Sequence, residues 1–282
     1  MEIKSVSVIG GGTMGNGIVH VFALKGYNVN LVELTNELAD RALNNITINM
    51  QRQVKKEIIT ETLKEQALQK IRKIVSIENT PKESDLIIEA IYENKKAKLE
   101  IFDKLDNIIK SDSIFASNTS SISLTELSSN HRPDRFIGMH FMNPVPLMKL
   151  VEIIRGYSTS DETFQTVKEL SIKLDKCPVE VFDFPGFISN RILMPMINEA
   201  IFALMEGVAS AEDIDTVMKL GMNHPMGPLT LADFIGLDVC LAIIEVLYNG
   251  YNDSKYRPCP LLKKMVAAGK LGKKSGEGFF KY

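Results

Sequence analysis

Short apolar runs alternate with stretches of helical period through the first half of the chain. Residues 6–9 (VSVI) read as a strand, and 27–33 (YNVNLVE) as a second, in which apolar and polar positions alternate. Further strand-like runs are 74–77, 86–91 (LIIEAI), 114–117, 136–139 and 150–154. Helical patterns fall between them at 14–25, closed by Gly26, and at 95–110 (KKAKLEIFDKLDNIIK). Strands separated by helices imply crossover connections. The expected class is therefore α/β, with a Rossmann-type doubly wound, mostly parallel sheet. Residues 36–73 break the rhythm. They hold no strand candidate, are dense in charge and restart a helical pattern at Thr60, which predicts a helical hairpin projecting from the sheet. The pattern changes again at the Pro185-Gly186 turn. Beyond it the stretches 188–207, 211–221, 229–250 and 260–272 are helical, each closed by a glycine, and no run reads as a strand. Two domains are expected, an α/β domain over 1–184 and an all-helical one over 185–282.

Composition narrows the function classes. The 282 residues suggest about two domains at roughly 150 residues each. Lys and Arg number 33 against 35 Asp and Glu, a net charge of −2. That balance excludes an electrostatic footprint for nucleic acid or an anionic membrane over the whole surface. The three cysteines, Cys177, Cys240 and Cys259, form no CxxC pair, so neither a disulfide framework nor a zinc site is expected, and a reducing cytoplasm fits. The start MEIKSVSVIG lacks a basic segment followed by an apolar one, so no signal peptide is expected. No uncharged apolar run reaches the ~18 residues of a membrane span.

The first strand runs into Gly10-Gly11-Gly12-Thr13-Met14-Gly15, a G-x-G-x-x-G pattern that also opens a helix. The strand after that helix ends in Glu33, 18 positions beyond Gly15. This is close to the ~20-residue offset of a dinucleotide fingerprint. Gly10 permits the tight turn, Gly12 lets the backbone approach a pyrophosphate at the helix N-terminus, and Gly15 allows close helix–strand packing. Glu33 would accept hydrogen bonds from ribose hydroxyls and repel a 2′-phosphate, favouring NAD over NADP.

Oxidation of an alcohol by NAD needs a base for the hydroxyl proton, a role suited to histidine. His20 lies in the helix after the fingerprint and reads as surface or helix packing. His131 stands in a polar loop beside Arg132 and Pro133 and is expected to be exposed. His224, before Pro225, reads as a structural hydrogen-bonding residue. His140 ends a strand-like run, the place where open α/β sheets bind ligands. On position alone it is equally a core histidine.

The stretch 138–152 (GMHFMNPVPLMKLVE) resembles the signature of the L-3-hydroxyacyl-CoA dehydrogenase family. So do 117–121 (SNTSS), 185–191 (PGFISNR), 224–228 (HPMGP) and 276–280 (GEGFF). The resemblance covers the chain in order and is nearest to the short bacterial members that act on 3-hydroxybutyryl-CoA. It implies that His140 is the acid/base and that Glu152 holds its other ring nitrogen. It further implies that Ser120 bonds the substrate's C3 oxygen and that Asn190 supports the substrate carbonyl region. Read without it, Ser120 and Asn190 are helix-capping or loop residues, and Glu152 is either an exposed carboxylate ending an amphipathic strand or, given its apolar flanks 150–151 and 153–154, a buried acid with a partner. Glu93, Lys98 and Asn143 match positions near the nicotinamide or its ribose, although Lys98 reads equally as a solvated helix face. Thr13 and Met14 belong with the glycines to the cofactor turn.

In the hairpin, Arg52 and Lys56 are four residues apart and share a helix face, so they could anchor the phosphates of coenzyme A. Family members commonly carry Lys where this chain has Arg52. The resemblance also implies a homodimer and no metal. Two other readings stand beside it. One is a non-catalytic NAD(H)-binding structural or redox-sensing relative. The other is a dehydrogenase of free 3-hydroxy acids, which typically uses a lysine base.

Overall fold

The computed structural model describes residues 1–282. The chain divides into two compact units, Met1–Asp183 and Phe184–Tyr282. In the first unit the turn residues and apolar runs build one eight-stranded sheet. Its strands are β1 (Ser5–Ile9), β2 (Asn28–Glu33), β3 (Ile71–Val75), β4 (Leu86–Glu89), β5 (Ile114–Ser117), β6 (Phe136–Phe141), β7 (Leu150–Arg155) and β8 (Cys177–Phe182). The order across the sheet is β3-β2-β1-β4-β5-β6-β7-β8. All neighbours are parallel except β6 and β7, which pair antiparallel. Chain order reverses between β1 and β4, so the crevice at their carboxyl ends is the topological switch point.

The central strands read as nearly unbroken apolar runs because both faces are covered. Val6, Val8, Leu86, Ile88 and Ala116 are buried in one core with Ile18, Val19 and Phe22 of α1 (Thr13–Leu24). The predicted hairpin is α2 (Asn36–Lys55) and α3 (Glu61–Gln69), begun by the hydroxyl caps Thr35 and Thr60 on the amides of Leu38 and Leu63. Its inner face is anchored rather than free: Ala42, Ile46, Met50 and Ala67 belong to the sheet core.

The hairpin ends earlier than the pattern predicts. Strand β3 begins at Ile71, inside the stretch read as helical, and Ile77 lies in a short 3₁₀ turn after it. Strand β3 is an edge with Arg72 and Lys73 exposed, and a charged edge strand has no apolar alternation to betray it. Strand β6 extends past residue 139, so His140 lies within the strand rather than beyond it.

The remaining helices of this unit are α4 (Lys95–Asp106), α5 (Leu124–Ser128) and α6 (Asp161–Lys173), capped by Asn94, Ser123 and Ser160.

The second unit is helical: α7 (Ser189–Met205), α8 (Ala211–Thr216), α9 (Pro228–Ile235), α10 (Leu237–Tyr251) and α11 (Pro260–Ala267). The single helix predicted over 229–250 is two. Gly236, at φ +102, separates them with a backbone turn that a helix cannot continue through. Gly250 does not close α10. Asn252 does, in the left-handed conformation, while a Cβ on Gly250 would meet Pro185 at 2.6 Å. Met194, Ile197, Ile201, Leu229, Leu237, Ile244, Leu247 and Leu262 fill this unit's core.

Candidate active site

The antiparallel register of β6 and β7 sets His140 directly opposite Glu152. Residues paired this way point to the same face of a sheet. Here His140 Nδ1 and Glu152 Oε2 are 2.7 Å apart, with side chains only 9% and 2% exposed. A carboxylate can only accept, so Nδ1 carries a proton and donates it to Glu152. The neighbouring amide of Phe141 donates to Asn118 Oδ1 at 3.0 Å, and Asn118 N–H donates to Glu89 O at 2.8 Å. The loop after β5 is thereby tied both to the histidine strand and to β4.

That loop hangs from an ionic cluster at the switch point, buried at Glu89 and Lys98 and open at Glu93. Lys98, which reads equally as a solvated residue in the sequence, is buried. Its Nζ donates to Glu89 Oε1 at 2.7 Å and lies 3.3 Å from Glu93 Oε2. It is half apolar stem, and only paired charges survive at that depth. Glu93 Oε1 accepts from Thr119 Oγ1 and from the amides of Ser120 and Ser121, at 2.6, 2.9 and 3.2 Å. Burial pushes the Glu93 carboxyl up, but Lys98 and these donors outweigh it and hold it below the usual carboxylate range. The charged form thus clamps the Ser120 loop.

The glycine turn has the geometry its pattern implies. Gly10 takes φ +95, and a Cβ on Gly15 would lie 1.8 Å from Gly10 O. Above Gly12, the N-cap of α1, nothing lies within 4 Å of a would-be Cβ, which leaves room for a group at the helix N-terminus. Gly11 N–H donates to Glu33 Oε1 at 2.6 Å, so the acidic end of β2 is tied to the turn. Beside it opens a cavity of about 370 Å³ lined by Gly10, Gly12, Glu33, Leu34, Ile91 and Tyr92, among others. An apolar slot with an acid at its rim suits an adenosine moiety. Lys104 also lines it, although no cation follows Glu33 closely in sequence; its Nζ is 3.0 Å from Glu78. Thr13 begins α1, while Met14 packs against the sheet core.

A second cavity, about 270 Å³, brings together Thr13, Asn16, Asn45, Asn49, Arg52 and Asn143. Arg52 reaches it, with Nη1 donating to Asn49 Oδ1 at 3.3 Å. Lys56 does not line it; it is the exposed C-cap of α2. Asn190 is buried in the first turn of α7, in the second unit.

One histidine expectation fails, the exposure of His131, while His20 takes the helix-packing alternative. His131 is buried against the ring of Phe102 (centroids 6.4 Å apart) and beside Asp103, because its polar loop folds over α4. His20 is buried too, its Nε2 bonded to Gln53 Oε1 at 3.0 Å. His224 uses its backbone, donating to Met218 O at 3.1 Å. Sequence reasoning missed Glu89 and Asn118. Glu89 did leave a signal: an acid inside LIIEAI, where an unpaired buried charge would be prohibitive. No group of three or more His, Cys, Asp or Glu side chains could hold a metal ion.

Residues 5–184 match the family model described as 3-hydroxyacyl-CoA dehydrogenase, NAD binding domain, and 186–282 match its C-terminal domain. The chain belongs to the 3-hydroxyacyl-CoA dehydrogenase family. It is 54% identical over 283 residues to a probable 3-hydroxybutyryl-CoA dehydrogenase of Bacillus subtilis, covering 100% of this chain and 98% of the relative. It is 44% identical to the human mitochondrial hydroxyacyl-coenzyme A dehydrogenase, covering 99% of this chain and 91% of that one. Among solved structures it resembles (S)-3-hydroxybutyryl-CoA dehydrogenase of Ralstonia eutropha. The TM-score is 0.97 at 50% identity, over 100% of this chain and 99% of the other. The fingerprint turn and the slot beside Glu33 thus lie in the NAD-binding domain of a 3-hydroxyacyl-CoA dehydrogenase family member.

Proposed function

We propose that this protein catalyses the reversible NAD(H)-dependent oxidoreduction of short 3-hydroxyacyl-CoA thioesters, with 3-hydroxybutyryl-CoA and acetoacetyl-CoA as the substrate pair. The observation that carries the reading is the His140–Glu152 pair at the carboxyl end of β6. In oxidation, His140 Nε2 takes the proton of the C3 hydroxyl as the C–H pair of electrons leaves C3 as hydride, and the carbonyl forms. Bound NAD supplies the hydride acceptor in that direction, and NADH the donor in the other. Glu152 keeps Nδ1 protonated, orients the ring and offsets the imidazolium charge. Ser120 donates to the C3 oxygen from the loop that Glu93 clamps. Support of the thioester carbonyl by Asn190 rests on the resemblance of 185–191 to the family motif alone.

For the cofactor, Gly10, Gly12, Thr13, Met14 and Gly15 would hold the pyrophosphate, Glu33 the adenosine ribose, and Glu93, Lys98 and Asn143 the nicotinamide half. Glu33 opposes a 2′-phosphate, which favours NAD over NADP. Arg52 and Lys56 would meet the coenzyme A phosphates; Arg52, with its bidentate fork, is the better placed of the two. We also propose a homodimer in a reducing cytoplasm. The dimer reading draws support from the exposed apolar side chains of the second unit, Ile192, Val208 and Leu220 among them. No helix is long and apolar enough to cross a membrane.

The test is NADH oxidation with acetoacetyl-CoA. Turnover with NADH exceeding that with NADPH is expected, and His140→Ala should lower it about a hundredfold or more while NADH affinity stays nearly unchanged. Absence of turnover with either cofactor would leave the non-catalytic reading. Activity on free 3-hydroxybutyrate but not on its thioester would select the free-acid reading instead.

A further inference from the structure

Glu89 is the most completely buried carboxylate of the first unit, at 0% exposure, and no step above uses it. Its two oxygens hold three donors. Oε1 accepts from Lys98 Nζ and from the amide of Ile91, both at 2.7 Å, and Oε2 accepts from Ser117 Oγ at 2.6 Å. Two of these donors, Ser117 and Lys98, lead onward to the Ser120 loop. Ser117 Oγ in turn accepts from the amide of Thr119 at 3.2 Å. Lys98 carries Glu93, which accepts from the amides of Ser120 and Ser121. The Ile91 amide, freed from the sheet ladder just past the end of β4, fixes the chain beside Gly10, whose Cβ position abuts Ala90 O at 2.9 Å. One carboxylate therefore braces the loop from its start and from its middle.

We propose that Glu89 is a positioning residue for the reaction: its buried carboxylate sets the loop of residues 117–121, and with it Ser120, at the carboxyl ends of β5 and β6. This rests on the reading that Ser120 contacts the substrate's C3 oxygen. Only an acceptor-only group with two oxygens serves all three donors. A glutamine could keep its carbonyl toward Lys98 and Ile91. Its amide would then point at Ser117, whose hydroxyl must turn to accept it and loses the acceptor for its own proton. Turned the other way, the amide opposes the Lys98 ammonium. The first arrangement, which avoids that repulsion, releases one strut of the loop and keeps the Lys98 and Ile91 bonds on the cofactor side.

The test is Glu89→Gln in the full chain, with acetoacetyl-CoA reduction by NADH and a separate NADH binding titration. We expect kcat to fall about tenfold or more, as small misplacements of a reacting group do, with NADH Kd changing less than about threefold. Ser117→Ala removes one strut only and should lower kcat by a smaller factor, also without loss of NADH affinity. It decides the matter if Glu89→Gln does not fold. A folded variant with kcat within about twofold of the parent overturns the proposal, as does a loss of NADH affinity equal to the loss of kcat, which marks general damage. If the parent itself does not reduce acetoacetyl-CoA, the functional reading fails first; if it does and Glu89→Gln matches it, only the role of Glu89 fails.

Discussion

Replacing Glu152 by glutamine keeps the side chain's size and removes one charge from the pair that moves the proton. The His140–Glu152 contact is 2.7 Å long between side chains that are almost wholly buried, so water cannot take the carboxylate's place. A hydrogen bond to a charged group contributes about 1.5–3 kcal/mol. At ~1.4 kcal/mol per factor of ten, its loss from the charged imidazolium amounts to about 10- to 150-fold in rate. The amide adds a second effect in the same direction. Turned with its NH₂ toward Nδ1, it makes that atom an acceptor and moves the ring proton to Nε2, the tautomer that cannot take a proton from the substrate. Both effects fall on the chemical step, and neither touches the glycine turn or Glu33. Steady-state oxidation of saturating 3-hydroxybutyryl-CoA by NAD, followed by NADH absorbance, should show kcat lowered by that factor or more. NADH Kd from fluorescence should change less than about threefold. A folded variant whose kcat stays within about threefold of the parent would refute the reasoning, because a buried charged partner at this distance cannot be indifferent to proton transfer.

Gly15→Ala places a Cβ 1.8 Å from Gly10 O, well inside the 3.0 Å below which something must shift, and that something is backbone. Opening the turn should weaken NADH binding about tenfold or more and lower Tm by about 2–12 °C, from ~1–3 kcal/mol of overpacking; an unchanged titration and melt would show that the turn yields freely. Burial lowers the His20 pKa below its ordinary 6.5, against a smaller opposing effect of the Gln53 hydrogen bond and with help from Lys176. The unfolded chain therefore binds this proton first as the pH falls, so stability present above about 6.5 is lost as the pH drops through that value toward the depressed folded one. His20→Asn should flatten the fall in Tm between about pH 7 and pH 5, and an identical slope would count against a neutral buried His20. Burial pushes Cys240 up to about 12 and raises Cys259 as well, while Cys177 is exposed. Titration with a thiol reagent at about pH 8 should find one fast thiol in the native protein and the others only after denaturation; rapid labelling of Cys240 would contradict its burial.

The glycine turn, the acid at the end of β2 and the α/β alternation were legible because each is local. A backbone position with φ +95, a helix N-terminus and a strand end all lie within a few residues of their causes. The ionic cluster of Glu89, Lys98 and Glu93 was not legible in the same way. Lys98 on the charged pattern of α4 looks solvated, and only the packing of α4 beside the switch point places its ammonium between Glu89 and Glu93. His131 was misread for a related reason, since a polar loop sequence carries no mark of the helix it folds against. The break at Gly236 was hidden by continuous apolar periodicity on both of its sides. The end of α10 was misplaced because Gly250 packs close to Pro185 while Asn252 makes the left-handed turn.

By itself the sequence determined the two-part organisation and the NAD fingerprint, because these depend on periodicity, turn chemistry and short spacings; the acid/base pair was implied only by the resemblance of residues 138–152 to the family signature. The tertiary structure alone decided that His140 and Glu152 stand opposite one another and that one buried carboxylate braces the serine loop from two directions. Those facts depend on strand register and on the desolvation of charges brought together by the sheet, and neither is encoded in the spacing of residues along the chain.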